Sequence, residues 1–265
     1  MSDESAGAAA PDEAEYSPVE LLSTVAARLL EDGTTVMVGT GMPMLASMLA
    51  QRTHAPNLTL IYEAGGIGAE SPRLPVSVGD ERTFHRGFQA AGMHDVMSYG
   101  QAGHIDYGFL GGAQLDRYGN LNSTVIGDWE SPTVRFPGSG GANDIGSWAW
   151  QTIIAMQQRE ETFVEELDFR TTPGYLDGPG NREEAGLPAD TGPYRVITQL
   201  GLYGFDEDTR ELTLLSLHPG VTVEEVQDAS GFEIAVADDL DESPTPTDEE
   251  LRLLREELDP RGIIR

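Results

Sequence analysis

Two residue types are missing from this chain. It has no cysteine and no lysine, and all 16 of its basic residues are arginines. Without cysteine there is no disulfide, no thiolate nucleophile and no Cys-ligated metal. Without lysine, and with 45 acids giving a net charge of −29, there is no basic surface to hold phosphates. That argues against nucleic acid and against an anionic membrane as partners. The five histidines, at 54, 85, 94, 104 and 218, lack zinc-type spacing, and none stands beside a Ser nucleophile motif, so no metal site is expected. The opening MSDESAG is acidic and has no apolar run of the kind a signal peptide carries. Long apolar runs are scarce too. The uncharged stretch Gly33 to Gln51 approaches bilayer-spanning length, but Gly39, Gly41 and Pro43 punctuate it and a strand–turn–helix reading fits better. The expectation is a cytoplasmic chain.

What is present points to a globular α/β protein. The chain has 265 residues, 39% of them hydrophobic, enough for one large α/β domain or two small ones. The acids are spread along the chain rather than gathered in a tail, and such a surface repels itself unless counterions screen it. This reads as halophilic adaptation to a salty cytoplasm. It predicts a fold that loosens in dilute buffer, and identical melting curves in roughly 0.1 M and roughly 3 M KCl would refute it.

Helical and strand patterns alternate along the chain. Ser17-Pro18-Val19-Glu20 is a capping box with Pro at the first helical position. Leu21, Leu22, Val25, Ala26, Leu29 and Leu30 follow at helical spacing, and Gly33 closes the helix. Strands are expected at 34–38, 58–62, 105–110, 152–156, 196–202 and 211–215, and a helix at 43–51. Residues 64–80 read as a long ordered loop. Residues 238–246 are acidic and Pro-rich and read as a surface linker, before a capping box at Thr247-Asp248-Glu249-Glu250 opens a last helix. The fold class expected is α/β, a mostly parallel sheet covered by helices on both faces. The expected organisation is a mobile acidic N-terminus over 1–15, a main domain over 16–240, and an acidic linker with a C-terminal helix over 241–265.

Five places carry possible chemistry. Glu63 ends the apolar run LTLIY and precedes Ala64-Gly65-Gly66. A carboxylate at the carboxyl end of a buried strand lies where open α/β sheets take ligands, and the glycines let a ligand or another stretch of chain come close. It is equally one acid among 45, capping the next element. Gly39-Thr40-Gly41-Met42-Pro43 joins a strand to a helix N-terminus, a possible anion cradle or a tight turn. Gly138-Ser139-Gly140-Gly141-Ala142-Asn143 exposes backbone N–H groups suited to an oxyanion, or is again a turn. Gln114 and Asn120 flank a turn and are positioning amides or structural ones. Arg73 is either a partner for a substrate carboxylate or a clamp on its own acidic loop.

The ordered series VGTGMP, IYEAGGIG, SVGD, GGAQLDRYGNLNST, FPGSGGAN, TPGYLDGPG and LHPGV resembles the β subunit of class I coenzyme A transferases, most closely the glutaconate CoA-transferase type, over about residues 17–265. The resemblance implies a NagB/RpiA/CoA-transferase-like fold and a separate α subunit of related fold, in αβ pairs assembled into larger oligomers. It implies Glu63 as the nucleophile, with Gly140, Gly141, Ala142 and Asn143 contacting the oxyanion or CoA thioester. Gly39, Gly41 and Gly65 would shape the pocket, the glycines after Glu63 clearing room for a thioester and its pantetheine arm, while Gln114 and Asn120 position groups. Coenzyme A would be a co-substrate, with no resident cofactor and no metal. YEAGGIG departs from the ENG signature of the succinyl-CoA:3-oxoacid branch. Relatives that lack the glutamate hydrolyse CoA esters, including cyclic diketone substrates, so hydrolysis is the alternative reading. A second is a non-catalytic regulatory or structural partner on the same fold.

Overall fold

The computed structural model of the chain describes residues 16–264. The expectation of a mobile segment over 1–15 lies outside the described residues. Helix α1 (Pro18–Ala27) opens on the expected capping box: Ser17 Oγ accepts from Glu20 N–H, and the Glu20 carboxylate accepts from Ser17 N–H at 2.8 Å. The helix stops a turn before its apolar spacing does, because the N–H groups of Leu29 and Leu30 reach carbonyls only three residues back, the tighter winding common at helix ends. Strand β1 (Thr35–Val38), helix α2 (Met42–Arg52) and strand β2 (Thr59–Tyr62) follow. Gly33 to Gln51 thus folds as strand, turn and helix. No helix among the described residues is long and apolar enough to cross a membrane.

Two short strands, β3 (Gly66–Ile67) and β4 (Gln89–Ala90), lead to α3 (Met93–Gln101) and β5 (Tyr107–Leu110). Hairpins β6 (Gln114–Leu115) with β7 (Leu121–Asn122), and β8 (Val125–Gly127) with β9 (Pro132–Arg135), precede α4 (Ala142–Trp148) and β10 (Gln151–Ala155). After α5 (Asn181–Glu184) come β11 (Pro193–Ile197), β12 (Gly201–Phe205), β13 (Leu212–Leu217), α6 (Val223–Asp228), β14 (Ala235–Glu242) and α7 (Asp248–Arg252). A π-helical turn (Leu253–Leu258) continues α7.

One ten-stranded sheet runs in the order β14-β13-β12-β11-β10-β5-β1-β2-β3-β4. Its centre, β11 through β2, is wholly parallel. The chain adds β2 on one side of β1 and then crosses back to add β5 on the other. Such a reversal opens a crevice at the carboxyl ends of the strands. Side chains alternate between two cores, as strand geometry requires. Val36, Val38, Leu60 and Tyr62 pack with α1, α2 and Leu253, Leu254 and Leu258 of the last helix. Met37 and Ile61 face the other way, onto Val96 of α3 and Trp148 of α4. Each fully buried side chain of this size contributes about 1.5–3 kcal/mol, so both helical layers are firmly held. The last helix is also tied to α1 by exchanged acids. Glu250, in the capping box of α7, pairs with Arg28 at 2.7 Å, and Glu20, in that of α1, pairs with Arg255 at 2.7 Å.

Two expectations are corrected. The run 196–202 is not one strand but the end of β11, a turn and the start of β12. Thr198 Oγ1 accepts from Leu200 N–H, and the Gln199 amide exchanges two hydrogen bonds with the backbone of Gln158. The surface linker expected over 238–246 is strand as far as Glu242, laid parallel on β13 at the sheet edge. Both its faces are largely solvated, so the acids there need no burial, and charge on an edge strand discourages pairing with another chain.

Candidate active site

The site grows from the end of β2. Tyr62 is fully buried and the chain surfaces at Glu63, which is half-buried. The alternation along β2 carries Glu63 to the α3/α4 side. Val38 and Tyr62 are paired across β1 and β2, which sets Gly39 beside Glu63, about one strand spacing of 4.7–4.9 Å away. Nothing lies within 4 Å of where a Cβ on Gly39 would be, so that side of Glu63 is open. Among the described residues the Glu63 carboxylate makes no hydrogen bond or ion pair. In a chain whose other half-buried acids are mostly clamped by arginines or helix caps, it is left available.

The glycine loop after β9 meets this carboxylate. A Cβ built on Gly141 would stand 3.6 Å from Glu63 Oε1 and 2.9 Å from Met97 Cε. Gly138 (φ +98) and Gly140 (φ +51) take backbone angles that disfavour side chains, with no atom within 4 Å of the Cβ position. The loop is anchored at both ends. Ser123 Oγ donates to Gly138 O at 3.3 Å, and the N–H groups of Ala142 and Asn143 are taken up by Ser139 O and Oγ. The N–H groups of Gly140 and Gly141 have no partner among the described residues. Of the four residues Gly140 to Asn143, two therefore have backbone donors to offer. Ala142 and Asn143 begin α4 instead, and Asn143 Nδ2 donates to Thr171 O at 2.9 Å.

Other candidates are spent elsewhere. Gly65 (φ +111) sits directly under Ala91 O, Gly66 under Thr83 O and Gly68 under the Phe88 ring. The glycines after Glu63 are therefore filled by the chain's own 83–91 segment, which also bonds Ala91 N–H to Gly65 O. They do not clear a channel. Gln114 is buried and satisfied by Asn122 and Asp168. Asn120, wholly buried, donates to Asp116 and Leu176 O and accepts from Gly174 and Leu176 N–H. Both amides are structural. Gly41 (φ +100) caps α2 and faces open space. Arg73 is exposed and lines a separate cavity of about 630 Å³ with Arg82 and Arg261. The clamp on that loop is Arg82, which holds Asp80 at 2.6 Å and Leu74 O at 2.9 Å.

Sequence reasoning missed three neighbours of the site. Met97 and Ile145 pack beside Gly141. Arg182 is buried and no carboxylate bonds to it among the described residues. It donates instead to Gly174 O at 2.7 Å, Gly146 O at 3.2 Å and Thr191 Oγ1 at 2.8 Å, and burial lowers its pKa. It braces the end of α4 against residues 171–174, where Thr171 O receives Asn143. Nothing in its sequence setting, Asn181-Arg182-Glu183-Glu184, separates it from a surface arginine.

Known proteins are similar to this chain along most of its length. The family described as coenzyme A transferase matches residues 19–229. The chain is 42% identical over 241 residues to the β subunit of the 3-oxoadipate CoA-transferase of Pseudomonas knackmussii, covering 91% of this chain and 92% of that one. It is 38% identical over 255 residues to the β subunit of the glutaconate CoA-transferase of Acidaminococcus fermentans, covering 94% and 95%. The crystal structure of the Acidaminococcus glutaconate coenzyme A-transferase superposes with a TM-score of 0.89 at 36% identity, over 96% of this chain and 98% of that one. This chain belongs to the coenzyme A transferase family, as a β subunit of the glutaconate CoA-transferase type.

Proposed function

We propose that Glu63 is the nucleophile of a two-subunit CoA-transferase that moves CoA from an acyl-CoA to a carboxylic acid. The ionised carboxylate attacks the thioester carbonyl, giving a mixed acyl-glutamyl anhydride and CoA thiolate. The thiolate attacks the glutamyl carbonyl, giving a glutamyl-CoA thioester and releasing the first acid. An acceptor carboxylate then attacks that thioester, forming a new anhydride and freeing the thiolate, which takes the acyl group and restores Glu63. This is covalent catalysis with ping-pong order, and it needs no thiol of the enzyme.

The observation that carries the reading is the pairing of an unengaged Glu63 carboxylate with Gly141 of the glycine loop. The free N–H groups of Gly140 and Gly141 suit the oxyanions of the tetrahedral intermediates. The relatives are each named as one subunit of a larger enzyme, which supports a separate α-type partner. We take that partner to close the site over Glu63 in αβ pairs and larger oligomers. The lysine-free acidic composition supports a salt-rich setting, which we take to be the cytoplasm.

The test uses the reconstituted pair. Glu63→Ala is expected to lower the transfer rate by roughly 10³-fold or more, as loss of a covalent nucleophile does. Transfer at an undiminished rate defeats the mechanism. Hydrolysis of acyl-CoA without an acceptor acid, at full rate in both proteins, favours the hydrolase reading.

A further inference from the structure

Two apolar side chains stand beside the Glu63 carboxylate on the α3/α4 side of the sheet. Three heavy atoms lie nearest the point where a Cβ on Gly141 would be: Met97 Cε at 2.9 Å, Glu63 Oε1 at 3.6 Å and Ile145 Cδ1 at 4.0 Å. The reacting oxygen thus shares one small space with the tips of Met97 and Ile145. Both are half-buried and pack on the same core as Val96 and Trp148, so each is held from behind while its tip reaches the site. Ile145 is stiff at its branch, and it lies over Gly108 of β5, where a Cβ would collide with it. Met97 is unbranched and flexible, suited to filling the space that Ile145 leaves. Neither side chain can attack, donate a proton or take one up in the transfer steps.

We propose that Met97 and Ile145 form a dry wall beside the activated Glu63 carbonyl and set how often it meets water instead of an acceptor acid. This rests on the transferase reading and assigns two further residues to its outcome. The competing reaction is hydrolysis of the glutamyl-CoA thioester. A water oxygen bonds to the glutamyl carbonyl carbon, the C–S bond breaks, and its electron pair leaves with the sulfur. One water proton ends on the CoA thiolate and the other goes to solvent, so Glu63 is restored as a carboxylate and the CoA reaches no acceptor. A water held in place needs two to four polar partners. The tips of Met97 and Ile145 offer none, and a water left without partners there is unfavourable. Excluding water in this way protects a reactive intermediate from hydrolysis. The Gly39 side of Glu63 stays open for the acceptor acid.

The experiment uses the reconstituted two-subunit enzyme and reads a ratio: acyl-CoA hydrolysed without acceptor over CoA transferred with acceptor present. A second readout is the lifetime of the glutamyl-CoA thioester after gel filtration removes the free acid, with heavy-oxygen water reporting attack at Glu63. Met97→Gln keeps the length of the side chain and gives water both a donor and an acceptor. It should raise the ratio and shorten the lifetime roughly fivefold or more, about the worth of one net hydrogen bond to the attacking water, and place heavy oxygen in the Glu63 carboxylate. Met97→Leu, apolar and of similar volume, should keep the wild-type ratio whatever it does to the rate. Ile145→Thr keeps the branch, adds a hydroxyl, and reads the same ratio should Met97→Gln fail to assemble. A ratio and lifetime unmoved in Met97→Gln and Ile145→Thr, in an enzyme whose wild type transfers CoA, overturn the wall and leave the Glu63 chemistry intact. A ratio raised equally by Met97→Leu assigns the effect to packing and also overturns it. A wild type that hydrolyses acyl-CoA and transfers none overturns the transferase reading, and the wall with it.

Discussion

Two glycine-rich stretches meet at Glu63, and they use glycine for opposite ends. Gly65 and Gly66 follow the carboxylate in sequence, yet each is covered by a backbone carbonyl of the chain's own 83–91 segment. Gly138 and Gly140 lie far from it in sequence, yet they face open space, while Gly141 touches the carboxylate's surroundings. In the first stretch the missing Cβ allows close packing that fixes where Glu63 stands. In the second it leaves backbone donors bare in front of it. Composition alone gives both the same appearance, and only the neighbouring atoms tell a packing glycine from an exposing one.

Substitution separates the two roles. Gly65→Ala should cost the most stability, about 3 kcal/mol or more, because a Cβ collides with rigid backbone at a positive φ. Denaturant unfolding of the assembled pair reads this, and a loss below about 1 kcal/mol would show the segment to be loose. Gly141→Ala should do the reverse. Its φ of −82 is ordinary, and the nearest atom is the flexible end of Met97, so stability should change by no more than about 1 kcal/mol. Transfer should nevertheless fall roughly 10- to 100-fold, since a methyl beside Glu63 displaces the reacting groups. Unchanged turnover would remove the glycine loop from the mechanism.

A smaller effect, away from both stretches, supplies the baseline. His218 is buried, bonded to Ser243 Oγ and Thr198 O, and burial lowers its pKa. The unfolded chain therefore binds this proton first as pH falls. The stability is complete above the unfolded value of about 6.5 and declines as pH drops below it toward the lowered folded value, by at most about 1.4 kcal/mol per pH unit. His218→Gln should remove this slope without altering the Gly65 and Gly141 results. A slope that survives the substitution would place the titration elsewhere.

Local signals were legible where local physics decides. The capping boxes at Ser17 and Thr247 are as their sequences read, and the apolar run before Glu63 is a central strand. The ordered motifs identified the family from residues too weak to do so singly. What stayed hidden depends on contacts distant in sequence. The turn between β11 and β12 is held by Gln158, some 40 residues upstream. The edge strand β14 has no buried face to impose an alternating pattern. Helix α4 has 7 residues, too short to show periodicity behind a glycine run that reads as a turn. Gln114 and Asn120 carry the right chemistry for a site, and only their bonding partners reveal that it is already used.

The central claim is that Glu63 becomes acylated and then carries CoA. The most direct measurement is mass spectrometry of the reconstituted pair after incubation with an acyl-CoA and hydroxylamine. The account predicts a hydroxamate on the peptide containing Glu63, formed only when acyl-CoA is present and absent from Glu63→Ala. CoA transfer at full rate with the label on another residue, or with no label at all, would contradict it.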